Sequence, residues 1–168
     1  MYETVLELGG SLIASYGLGI LFVVFVLEGA LIGKLIPTRA LFIGTVLALG
    51  SDTFGLVSVF LVAVVGSTVG QLVVFTLIRR TSYTAADIPG SIGETERPRL
   101  QHWFRRWGTP AIAVSNVLPV VRGTLTVPAA MSDATLFRFS SAAVLGTAVY
   151  AASLLVLAVG VEFVLAFF

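Results

Sequence analysis

Arg122 is the residue on which chemistry can be built. No charge falls between Gly108 and Val121, and none after Arg122 until Asp133. A guanidinium stays charged in a protein and presents a planar fork of donors, so in apolar surroundings it requires an anion. Two anions suit it: the phosphate of a lipid, or a carboxylate such as Glu28 that would hold the segment in place. The two roles can coexist. Asn116, six residues earlier, could donate to the same phosphate or satisfy backbone freed by a turn. Arg39 stands in a similar broken stretch and either adds a second phosphate contact or snorkels to the membrane surface; Lys34 reads as snorkelling. Glu28 is the proton-coupling candidate if it is buried alone. Paired with Arg122, Arg39 or Lys34, it is an ionised structural partner.

The elements that must position these side chains are membrane elements. Of 168 residues, 57% are hydrophobic and 11% charged, and mean hydropathy is +1.02. This composition reads as one all-α integral membrane domain covering residues 1–168. A net charge of +1 gives no case for nucleic acid. With no cysteine and a single histidine, His102, the chain offers no thiolate or histidine metal cage, and we expect neither metal nor cofactor. The opening MYETVLEL lacks a basic n-region, so the first apolar run is read as structure rather than as a signal peptide.

Residues 10–27 are uncharged and predict a first spanning helix that continues a little past Glu28. Residues 28–50, broken at Lys34, Pro37 and Arg39, are too short on either side to span, and predict a re-entrant hairpin. Residues 53–78 predict a second span, capped by Ser51 and Asp52 and carrying Gly66 and Gly70 in a G-x-x-x-G that admits another backbone. A polar loop, 81–95, leads to RPRLQHWFRRWG. There Leu100, Trp103, Phe104 and Trp107 share a helix face, with Arg99, Arg105 and Arg106 elsewhere, as in a helix lying in the interface. Residues 108–138 predict a second re-entrant hairpin that turns at Pro119 and Gly123, as the first turns at Pro37. Residues 139–161 predict a third span, with Asp133 as cap.

Six of the nine arginines fall in 79–106, which positive-inside bias places in the cytoplasm of a plasma-membrane protein. Pro37 and Pro119, Ser51-Asp52 and Ser132-Asp133, and Gly66-Ser67 and Gly146-Thr147 recur about eighty residues apart. They suggest an inverted repeat: about 10–78, then loop and interfacial helix 79–107, then 108–168. Opposed hairpins of this kind hold the substrate sites of secondary transporters. The fold expected is therefore three spanning helices, two opposed re-entrant hairpins and one interfacial amphipathic helix.

Glu28-Gly29, Pro37-Thr38-Arg39, Gly66, Gly70-Gln71 with Phe75, Asn116-Val117-Leu118-Pro119-Val120-Val121-Arg122, Ala129-Ala130-Met131 and Phe137 follow one another in an order that resembles the DedA or VTT-domain family. Three positions depart from the family pattern. Arg39 stands where an acid follows the family's Pro-Gly, Asn116 where the hairpin motif has its first Arg, and Gln71 where the helix motif has Asp. The resemblance implies transbilayer movement of lipids with an anionic head group, such as polyprenyl phosphate or phospholipid, with proton or sodium coupling. Other readings are a small-ion or proton-coupled solute transporter and a non-transporting assembly protein, a homodimer among them. An enzyme is not expected: a lipid phosphatase or transferase needs His, Cys or clustered acids to activate its nucleophile.

Overall fold

The protein is described by a computed structural model covering residues 2–31, 37–49, 53–81, 97–119, 121–165 and 167. Lys34, Ser51, Asp52 and the polar loop from Ser82 onward lie outside the described residues. The rest is helical, with no strand among the described residues. The elements are α1 (Tyr2–Gly29), α2 (Thr38–Leu49), α3 (Thr53–Arg80), α4 (Arg97–Trp107), α5 (Pro110–Val117), α6 (Thr126–Ala130) and α7 (Leu136–Leu165).

Among the described residues two helices, α3 and α7, are long and apolar enough to cross a bilayer. Neither has an internal proline, and each is charged only near its ends. Every fourth residue of α3 from Val57 to Leu77 (Val57, Leu61, Val65, Val69, Val73, Leu77) is an exposed aliphatic. A stripe of this kind along a whole helix suits lipid, not water. The two helices run in opposite directions, with Phe75 near the end of α3 stacked on Phe139 near the start of α7 at 4.3 Å.

Glycines set how α1 lies. A β-carbon at Gly66 would run into the Phe22 carbonyl; at Gly70, one turn on, it would run into the Val26 carbonyl and the Ala30 nitrogen. Successive turns of α1 thus meet successive turns of α3 in the same order, and the two helices run the same way with their backbones nearly touching. Gly29 in turn rests on the Ser67 carbonyl, at the midpoint of α3. The stretch expected as the first span is helical, but its last turn stops level with the middle of α3. The chain then bends at Ala30 and Leu31, the latter at φ 64°, and α2 begins directly after Pro37. α2 packs back along α1, Phe42 edge-on to Phe25 at 6.0 Å, and ends just before α3 starts. The G-x-x-x-G patch, which could have served a second copy, is filled from within the chain by α1.

At the other end, α4 packs on α5 and α6. Phe104 is buried and Leu100 and Trp103 lie against the core, while Trp107 and the arginines 99, 105 and 106 are exposed. The amphipathic face is real, but most of it is turned to the protein's own helices. Gly108, at φ 60°, closes α4 by donating its N–H to the Phe104 carbonyl, and Pro110 opens α5. The α7 N-terminus is capped by the Thr135 hydroxyl, which accepts from the Arg138 N–H; Asp133, expected in that role, is exposed in the preceding turn.

The buried apolar residues form two clusters. One holds Val74, Phe75, Ile112 and Phe139; the other holds Phe25, Phe42, Val59, Tyr150 and Leu154. Along α3 the residues between them are Ser67, Thr68 and Gln71, and along α7 the buried one is Thr147. A polar layer therefore crosses the molecule halfway along its two longest helices.

Candidate functional site

Arg122 reaches that layer from the turn between α5 and α6. Pro119 cannot continue α5 and forces Leu118 into extended backbone (φ −86°, ψ 119°). Gly123, at φ 72°, then reverses the chain; a β-carbon there would press on the Leu31 side chain as well as strain the backbone. The reversal is fastened from inside. The Asn116 carbonyl oxygen accepts the Gly123 N–H at 3.1 Å, while its amide donates to Gln71 at 2.9 Å and approaches the Ala143 carbonyl at 3.5 Å. Asn116 is wholly buried. Of its two expected roles, satisfying freed backbone is the one observed. Gln71 and Asn116, two of the three departures from the family pattern, are thus partners of each other.

The guanidinium of Arg122 is buried, with 6% of its side chain exposed. Its Nη2 donates to the Ser67 hydroxyl at 2.8 Å. Its face lies 3.9 Å from the centre of the Tyr150 ring, with Phe25 at 5.7 Å. Its Nη1 stands 3.6 Å from Glu28 Oε2, and neither of these two atoms makes a hydrogen bond among the described residues. The pair is therefore an ionic contact without a hydrogen bond, held at a distance from which both groups can reorient. Glu28 owes its place to Gly29: because α1 meets the Ser67 carbonyl there, the carboxylate falls beside the polar layer.

Arg39 lies at the start of α2 and is exposed, its Nε donating to the Tyr150 hydroxyl at 3.2 Å. The structure thus joins Arg122, Glu28 and, through Tyr150, Arg39, and ties Asn116 to the same turn. Pro37, Pro119 and Gly123 stand at the bends. Sequence reasoning missed Ser67 as a ligand, and Tyr150 altogether. It also missed Arg79. Arg79 donates to the carbonyls of Ala130 at 3.3 Å and Ser132 at 2.6 Å, and so pins the link between α6 and α7 to the end of α3. A polar ring midway along an otherwise Ala- and Val-rich helix is the signal that could have singled out Tyr150.

The halves repeat their packing. Gly66 admits α1 beside the buried Ser67; Gly146 admits α5, at the Ala113 carbonyl and Asn116, beside the buried Thr147. The VTT domain, as a family, matches residues 37–160, most of the chain and all of this second half up to the late part of α7. The chain belongs to the VTT-domain family. This VTT-domain protein, of the DedA group of membrane proteins, is also similar to undecaprenyl phosphate transporter A of Staphylococcus aureus (strain NCTC 8325 / PS 47). The two are 22% identical over 152 residues, covering 86% of this chain and 74% of the relative. No solved structure matches the VTT-domain chain.

Chemically, the arrangement offers a buried guanidinium whose carboxylate partner makes no hydrogen bond to it. Arg122 already spends one edge on Ser67 and one face on Tyr150, so an incoming anion would compete with Glu28 for what is left. A phosphate offers the bidentate geometry that a 3.6 Å ionic contact lacks.

Proposed function

We propose that this protein moves an anionic lipid across the bilayer, as a flippase or scramblase for polyprenyl phosphate or a phospholipid. The observation that carries the reading is Arg122, a buried cation midway along two helices fit to span a membrane, with a loosely held carboxylate as its sole charged neighbour within 4 Å among the described residues. A charge at that depth is costly and marks a substrate or ion path. The relative's name, a transporter of undecaprenyl phosphate, supports the same class of cargo.

In this reading α3 and α7 span, and α1–α2 and α5–α6 are re-entrant hairpins entering from opposite faces. On this reading there are two spans where hydropathy predicts three, because α1 stops level with Ser67. The halves form one membrane domain with an inverted repeat, and the arginine-rich 79–106 faces the cytoplasm. The head group sits against Arg122 on the buried face of α3, at Ser67, while the tail remains in lipid. Glu28 trades places with the phosphate as the partner of Arg122, which makes it the group through which a proton or sodium ion would be coupled. Asn116 holds the turn in shape.

Lipid movement in proteoliposomes, wild type beside Arg122→Ala and Glu28→Gln, tests this. Arg122→Ala should lose at least tenfold in rate while remaining folded. Loss in Glu28→Gln as well indicates coupling, and loss in Arg122→Ala alone indicates passive scrambling. A folded Arg122→Ala protein with full activity overturns the phosphate site.

A further inference from the structure

Tyr150 is the residue on which the two hairpin arginines meet. It comes from neither hairpin: it lies at the middle of α7, 3% exposed. The face of its ring carries Arg122 at 3.9 Å, and its hydroxyl accepts from Arg39 at 3.2 Å. The first contact fixes the plane of a guanidinium that the α5–α6 turn delivers; cation–π attraction is strongest where, as here, both partners are out of water. The second holds an exposed arginine that would otherwise be free to snorkel away from the site. It does so through Nε, which leaves the terminal nitrogens of Arg39, the part of the fork that grips phosphate oxygens, for a ligand.

We propose that Tyr150 is a positioning residue that holds Arg39 and Arg122 one phenol ring apart, so that a single anionic head group is gripped from both hairpins. This rests on the lipid-transport reading above and adds a specificity element to it. A head group with several phosphate oxygens exposed, a phosphomonoester, gains from both arginines. A phosphodiester, with fewer free oxygens, gains less from the second.

The test is a double-mutant cycle in proteoliposomes, with rates normalised to folded protein. Tyr150→Phe keeps the ring under Arg122 and removes only the acceptor for Arg39. The mole fraction of a long-chain polyprenyl monophosphate needed for half-maximal transport should rise about three- to tenfold, with the maximal rate unchanged. Arg39→Gln should do the same, and the double variant should be no worse than either single one, since both remove one arrangement. The shift should be smaller for phosphatidylglycerol, a phosphodiester. A Tyr150→Phe protein indistinguishable from wild type overturns the proposal, as do single effects that add in the double variant. Arg122→Gln in the same assay separates the two readings. If it transports like wild type, the lipid-phosphate function itself fails; if it is impaired while Tyr150→Phe is normal, only the positioning role fails.

Discussion

Removing Arg122 and Glu28 together should cost the fold less than removing either alone. At 3.6 Å and an effective dielectric of about 20, the two charges attract by about 5 kcal/mol. Against this stands the desolvation of two ions, several kcal/mol each, so the net worth of the pair lies near zero. A lone survivor keeps its desolvation cost without the attraction. Arg122→Leu strands a carboxylate whose side chain is 19% exposed and leaves Ser67 without its donor. Glu28→Leu strands a deeper guanidinium that retains Ser67 and the Tyr150 ring. Each single change should cost about 3–5 kcal/mol, toward the lower end for both because some solvation or contact persists. The double leucine variant should return to within about 1 kcal/mol of wild type. Equilibrium unfolding of the four proteins in mixed micelles, read by tryptophan fluorescence, gives the coupling directly. Costs that add to within about 0.5 kcal/mol would refute the reasoning, because the two groups would then not be each other's electrostatic partner. The double variant should still be inactive, which separates the site's stability from its use.

Three further outcomes follow from the packing. Gly146→Ala places a β-carbon against the Ala113 carbonyl and Asn116; it should destabilise by about 1–3 kcal/mol and slow transport by displacing the Asn116 brace. Gly160→Ala, with open space around it, should leave both unchanged within about 0.5 kcal/mol in the same unfolding and transport assays. Arg79→Ala removes two hydrogen bonds to the carbonyls of Ala130 and Ser132; hydrogen exchange at the amides of 131–135 should accelerate by at least tenfold, with little change at the middle of α3.

The reach of the sequence can be judged residue by residue. Arg122, Pro119 and Gly123 were legible because each breaks a pattern: a charge in an apolar run, a helix stop, a residue free to take positive φ. The two long apolar helices α3 and α7 were legible from uncharged run length, with ends only a few residues off. The depth of α1 was not, since hydropathy gives how long a run is and not where it lies. What places it is a relation between Gly29 and the Ser67 carbonyl, and between Gly70 and the Val26 carbonyl, which no local pattern carries. The same holds for the Gln71–Asn116 bond: each residue alone reads as the loss of a charge, and only contact reveals a neutral pair. Tyr150 and Arg79 were passed over because a lone aromatic in a span and an arginine at a helix end both have ordinary explanations. Asp133 was read as the cap from its residue type and its match to Asp52, whereas the hydroxyl that caps is that of Thr135, directly before Leu136.

The bond between Glu28 and Arg122 also has a place in time. The carboxylate is synthesised first, with α1, and its counter-charge follows only after α3 and the arginine-rich segment have been made. At about 5–20 residues per second, the interval is roughly 5–20 s. During it the nascent first half carries an acid with no guanidinium from the second hairpin beside it, next to a helix that must settle in the bilayer. When the α5–α6 turn arrives, that carboxylate offsets part of what burying Arg122 would otherwise cost. The order of residues along the chain thus has the acid in place before the base it faces is made.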